Sequence, residues 1–154
     1  MRNLLSSIAA AAVLIAAGSL PSTGGQDGAH EMRVFKTSTC GCCRQWVDIM
    51  SKAGFSVTVK DVADIDPVKK MAMIPDQLQS CHTAKVGSYI IEGHVPVSTI
   101  RRLLAEKPMI RGIAVPGMPF GSPGMGHDPN ARYDVMTLPN TSSDKAEIYE
   151  KIRE

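Results

Sequence analysis

The sequence predicts a single α/β domain, a small central β-sheet flanked by helices. At 154 residues the chain has room for one substantial core and not for two. Runs in which apolar and polar residues alternate are interleaved with runs whose apolar residues recur every three or four positions. The resulting order, β-α-β-α-β-α-β-β, builds a sheet with helices packed on it. A hydrophobic fraction of 44% is enough for a packed core, which argues against a disordered chain.

Each element has a local cause. Met32 to Lys36 alternates like a short strand. After Cys40-Gly41-Cys42-Cys43 a helix is expected to about Ala53, because Cys43, Trp46, Val47 and Met50 fall on one face of a 3.6-residue period. Gly54 stops it. Phe55 to Val62 alternates again and reads as a strand. Asp66-Pro67 opens a short helix to about Ala72, with Asp66 as N-cap, and Pro75 to Gln79 suits one helical turn. Val86 to Glu92 is expected as one strand, with Tyr89, Ile90 and Ile91 as its β-favouring centre. Pro96 and Pro108 bracket a helix that carries Ile100, Leu103 and Leu104 on one face. Arg111 to Val115 and Tyr133 to Leu138 complete the strands. Between them, Pro116 to Asn130 is too rich in Gly and Pro for a regular element. The polar tail, residues 139–154, is expected to add a weak helix beyond Asn140.

Composition removes whole classes of partner. There are 17 basic against 15 acidic residues, with no Lys/Arg-rich run, so the chain lacks the electrostatic footprint of a nucleic-acid binder. The N-terminus sets the compartment. Met1-Arg2-Asn3 is a short basic start, Leu4 to Ala17 is an apolar run, and Gly18 to Gly25 is a small-residue, turn-rich exit. That layout is the one a secretory signal peptide has, here residues 1–24, and it predicts export. The apolar run is shorter than the ~20 residues a spanning helix needs. The alternative is an uncleaved anchor, the one route by which this chain would meet a membrane. No Cys follows the run to carry a lipid.

The four cysteines fall in two places, Cys40, Cys42 and Cys43 in one turn and Cys81 alone. As structural disulfides they would be poorly placed. A bridge inside the turn closes only a few residues, worth less than the ~3 kcal/mol of a 15-residue loop. Reactivity explains the placement better. The turn precedes a helix N-terminus, where unpaired N–H groups and the helix dipole favour a thiolate. Thiolates are the nucleophiles of disulfide exchange and the soft ligands of Cu(I) and Zn(II). Exchange through Cys40 and Cys43 leaves Cys42 and Cys81 unexplained. Zinc prefers one clean tetrahedron, which adjacent Cys42 and Cys43 make awkward. Cu(I) accepts two or three thiolates and tolerates bridging sulfur, so a multinuclear copper site suits the crowding.

The remaining donors divide between ligand and structural roles. His82, next to Cys81, suits a ligand or a neighbour of the cluster equally well as a loop side chain. His94, after Gly93, reads first as a turn residue and second as a ligand. The Gly/Pro loop presents Met118, Met125 and His127, which serve either as soft donors or, for the methionines, as caps on the apolar core. Met50 belongs to the apolar helix face, and Met71 and Met73 cannot share one face.

Five motifs occur in order: Thr39-Cys40-Gly41-Cys42-Cys43 with Trp46, Ser80-Cys81-His82-Thr83-Ala84, Ile91-Glu92-Gly93-His94-Val95-Pro96, Ala114-Val115-Pro116-Gly117-Met118-Pro119 and Gly121-Ser122-Pro123-Gly124-Met125. Together they resemble the CopG-type copper-resistance proteins, small exported bacterial proteins long catalogued as a domain of unknown function. The resemblance spans about residues 32–138. It implies a thioredoxin-like fold and a copper–thiolate cluster of Cys40, Cys42, Cys43 and Cys81, with the histidines and loop methionines as neighbours. It also implies periplasmic copper handling, extending to interconversion of Cu(I) and Cu(II), with other periplasmic copper-handling proteins as partners. Two functions follow: a copper-binding resistance protein, or a thiol–disulfide oxidoreductase working through Cys40 and Cys43. Residue types alone leave open whether the former is a copper oxidoreductase or simply a metal-binding protein.

Overall fold

The computed structural model describes residues 30–141 and 144–153 of the chain. The expected signal segment lies outside the described residues. In chain order the elements are β1 (Glu31–Thr37), α1 (Gly41–Lys52), β2 (Ser56–Val62), α2 (Asp66–Met71), a 3₁₀ turn (Asp76–Leu78), β3 (Thr83–Val86), β4 (Tyr89–Glu92), α3 (Val97–Glu106), β5 (Gly112–Ala114), β6 (Arg132–Leu138) and β7 (Ile148–Arg153). Among the described residues the strands form one mixed sheet of seven, ordered β2-β1-β3-β4-β5-β6-β7.

Two expectations are corrected. The run expected as a single strand, Val86 to Glu92, is split by a tight turn at Gly87-Ser88, so β3 and β4 form a hairpin with Val86 opposite Tyr89. Gly87, at φ +56°, supplies the positive φ that a two-residue hairpin turn requires. Among the described residues the tail after Asn140 forms no helix. It returns as β7 and pairs antiparallel with β6 from Arg132 opposite Arg153, completing an edge of the sheet. A smaller shift concerns Asp66, which lies inside the first turn of α2 while Ile65 takes the N-cap position.

Pleat alternation divides the core between the two faces of the sheet. Ile91, Ile113, Val115 and Val135 pack on one side with Trp46 and Met50 of α1 and Ile100 and Leu103 of α3. Their neighbours in sequence, Ile90 and Ala114, face the other side together with Leu138, where Ile74 and Leu78 cover them. The sheet is therefore buried on both faces at its centre, and β1 and β4 cannot slip in register without turning core residues outward. Met71 and Met73 both lie in solvent.

The topology concentrates the loops that matter. β1 and β3 are antiparallel neighbours with Phe35 opposite Thr83, so the loop leaving β1 and the loop entering β3 lie at the same sheet end. β4 returns antiparallel to β3, and β5 runs parallel to β4, so the chain leaving each of these strands emerges there too. The segments around residues 40, 81, 94 and 117 thus meet at one edge of the molecule.

Candidate metal centre

Cys40 closes the turn after β1. Its N–H donates to the Thr37 carbonyl at 3.1 Å, and its sulfur accepts from the Cys43 N–H at 3.3 Å as the N-cap of α1. The helix begins at Gly41, so Cys42 and Cys43 occupy its first turn, where backbone N–H groups and the helix dipole favour negative sulfur. Cys40 and Cys43 are joined by a disulfide, whereas Cys42 and Cys81 are free thiols, both half-buried. Any metal that used all four sulfurs would need that bond reduced.

Cys81 faces the turn. Its Sγ lies 3.5 Å from Cys43 Sγ and 3.8 Å from Cys42 Sγ, and Cys42 Sγ lies 3.5 Å from Cys40 Sγ. All four sulfurs lie within 4.8 Å of one another. The crowding expected of adjacent Cys42 and Cys43 does not keep either sulfur from Cys81. A second overlapping group joins Cys81 to His82 and His94, with Cys81 Sγ at 3.4 Å from His82 Nδ1 and 3.0 Å from His94 Nε2.

His94 sits in the bend after Gly93, with its side chain turned inward. It is fully buried, and its Nδ1 lies 2.8 Å from the Pro123 carbonyl oxygen. A carbonyl can only accept, so Nδ1 carries the hydrogen and the Nε2 lone pair points at Cys81. That is the tautomer a metal ligand or a thiol-proton acceptor requires. His82 is also fully buried, its ring 4.5 Å from Trp46 and edge-on to His94 at 5.0 Å between centroids. Its Nε2 is buried with no hydrogen-bond partner. Trp46 is fixed in turn by an indole N–H bond of 3.0 Å to the Val95 carbonyl.

The Gly/Pro loop straps this edge. Gly117 N–H donates to the Gln79 carbonyl at 2.9 Å, and Ser80 Oγ donates to the Gly117 carbonyl, which ties the start of the loop beside Cys81. Gly124 (φ +86°) lies against the first turn of α1, where an added Cβ would stand 2.8 Å from the Cys42 oxygen and 3.0 Å from the Trp46 nitrogen. Of the loop donors, Met118 and His127 are exposed and Met125 is half-buried. Exposure of Met118 rules out the core-capping role for it.

Burial keeps Cys81 and the two histidines neutral. Burial, and next the charge of Cys42, push the Cys81 thiol from 9.0 up to about 12. Burial holds His82 well below its ordinary value, reinforced by electrostatic repulsion from a protonated His94, Lys69 and Lys36. Burial also lowers His94, against the opposing bond to Pro123. The donors are sulfur and neutral imidazole, a set matched to soft, thiophilic ions and not to Mg²⁺ or Ca²⁺.

Three residues behind this centre are not among those the sequence marks as candidate donors. Glu92 and Lys69 form a fully buried ion pair, and Thr83 Oγ1 donates to Glu92 Oε2 at 2.6 Å. An apolar strand ending in Glu and a short helix containing Lys carry no signal that pairs them.

Comparison with known proteins places these features in a group. Residues 78–125 match the profile of a family described as a protein of unknown function, DUF411. A search of curated proteins finds no match. A solved structure described as copper resistance protein CopG, Form 2, is 36% identical, covers 80% of this chain and 98% of its own, and superposes with a TM-score of 0.73. The Form 1 structure of the same description is 35% identical, with 82% and 99% covered and a TM-score of 0.73.

Proposed function

From the premise that the chain belongs to the CopG-type copper-resistance family, we propose that it is an exported protein that holds Cu(I) in a cluster of Cys40, Cys42, Cys43 and Cys81. The observation that carries this is the meeting of four sulfurs from two separate loops within 4.8 Å. Several sulfurs so close together suit more than one copper ion, and bound copper would supply one-electron chemistry between Cu(I) and Cu(II).

The chain's own residues set the terms of binding. The N-terminus of α1 stabilises the thiolates of the turn once the Cys40–Cys43 bond is reduced by an external dithiol, which supplies two electrons and two protons. His94, oriented by the Pro123 carbonyl, presents Nε2 to Cys81 as an acceptor for its proton or as a further ligand. Trp46, His82 and the strap shield the inner side of the cluster, and shielding from water strengthens soft, covalent ligation over hydration. Met118, Met125 and His127, on the loop that packs against α1, would offer further soft donors to incoming ions.

The same reading takes the fold as thioredoxin-like. It is supported by the order β2-β1-β3-β4, by the parallel β1-α1-β2 unit and by a C-x-x-C at the head of α1. Residues 1–24 act as its export signal, which puts the domain in the periplasm among other copper-handling proteins.

One observation favours a second reading. The bonded Cys40–Cys43 pair with Cys81 Sγ 3.5 Å from Cys43 Sγ is poised for thiol–disulfide exchange. Cys42→Ser separates the two. The copper reading predicts that the reduced variant loses Cu(I) to a competing chelator that the parent withstands, or binds fewer ions. Retention unchanged in the variant, together with disulfide reductase activity that Cys40→Ser abolishes, would establish the exchange enzyme instead.

A further inference from the structure

Glu92 ends β4 fully buried, opposite Thr83 in the β3–β4 ladder. Its carboxylate receives three donors from three segments. Oε1 accepts from the Ser80 N–H at 2.7 Å and from the Lys69 ammonium of α2, and Oε2 accepts from the Thr83 hydroxyl at 2.6 Å. Lys69 Nζ also donates to Thr83 Oγ1 at 3.4 Å. Ser80 immediately precedes Cys81 and Thr83 immediately follows His82, so one side chain grips the Cys81-His82 dipeptide from both sides. The same strand end continues into Gly93, whose N–H donates to the His82 carbonyl at 3.0 Å, and then into His94. At Gly93 the backbone takes φ +71°, and an added Cβ would stand 2.5 Å from Ser80 Cβ, so only glycine lets the two segments close.

We infer that Glu92, neutralised by Lys69, is the positioning residue that sets Cys81 against His94 and the cysteine turn. Stability alone does not account for the pair. Removing two charges from water costs several kcal/mol per ion, and a well-packed apolar pair of similar volume is often as stable or more so. An apolar pair cannot hold the Ser80 N–H and the Thr83 hydroxyl on either side of Cys81. Groups of this kind behind a metal ligand change affinity by about 10–100-fold when removed.

The inference rests on the copper reading for its purpose but not for its test. Two double variants separate position from charge. Lys69→Met with Glu92→Leu removes both charges and both grips. Lys69→Met with Glu92→Gln removes the charges but keeps an acceptor for Ser80 and a hydrogen-bonding partner for Thr83. In metal-free protein with the Cys40–Cys43 bond intact, Cys81 should alkylate about tenfold faster in the Leu variant and near the parental rate in the Gln variant, read by peptide mass spectrometry. After reduction, the Leu variant should hold Cu(I) about 10–100-fold less tightly in chelator competition, with the Gln variant recovering most of the loss. In the unaltered protein, the Ser80 amide should exchange hydrogen as slowly as the amides of β4, a measurement independent of how any variant folds. A folded Leu variant with parental alkylation and affinity, or a Ser80 amide exchanging at the rate of an exposed loop, would overturn the inference. If the parent itself releases Cu(I), the copper reading fails, while the alkylation and exchange results still decide what Glu92 does.

Discussion

His82 and His94 are buried side by side, and both resist protonation in the folded protein because burial penalises the imidazolium. The unfolded chain protonates them near the ordinary value of 6.5. Below that pH the unfolded state binds more protons than the native state, so the histidine contribution to stability is complete above 6.5 and is lost as pH falls. Denaturant titration of the metal-free protein at pH 7.5 and 5.5 should show a loss of about 1 kcal/mol for each histidine that stays neutral, at a pH where carboxylates of ordinary acidity are still ionised. His82→Gln should flatten that slope; equal stability at the two pH values would contradict the burial argument. Cys81 gives a second test at this scale. With its thiol pushed from 9.0 up to about 12, little thiolate exists at pH 8. Iodoacetamide should therefore label it roughly a hundredfold or more slower than a thiol of ordinary acidity, with the Cys40–Cys43 bond intact. Labelling at the rate of an ordinary thiol would show that the site is open to water.

At the scale of elements, the strap from Pro116 to Asn130 shows how irregular chain is made specific. Gly124 has its backbone against the Cys42 oxygen and the Trp46 nitrogen, at a φ that L side chains rarely adopt. Gly124→Ala should destabilise the protein by about 1–3 kcal/mol and lower its melting temperature, because both the strain and the lost approach act together. A melting temperature unchanged by this substitution would mean that the strap does not pack on α1. The helices were legible because their signals are local: the apolar face of Cys43, Trp46 and Met50, Gly54 at the end of α1, and prolines around α3. The hairpin at Gly87 was hidden because Val86 to Glu92 reads as one continuous β-favouring run. β7 was hidden because a polar edge strand takes its order from β6, a partner distant in sequence. The same limit applies at the site. Composition marks four sulfurs, but the orientation of His94 depends on the Pro123 carbonyl, and the grip on Cys81 depends on Glu92. Those are contacts between elements, which no spacing records.

For the molecule as a whole, the sheet order does the assembling. Because β1, β3, β4 and β5 each open or close at one end, the cysteine turn, the Cys81 loop, His94 and the strap converge without any long-range pattern in the chain. A half-buried set of sulfur and neutral imidazole has little affinity for hard cations and retains soft ones, and two of its sulfurs are held in a reducible disulfide. Copper K-edge X-ray absorption on the reduced protein loaded with Cu(I) tests this most directly. The nearest shell should be dominated by sulfur and should lose sulfur neighbours in Cys81→Ser. A shell made of nitrogen and oxygen alone, unchanged by that substitution, would place the metal elsewhere and contradict it.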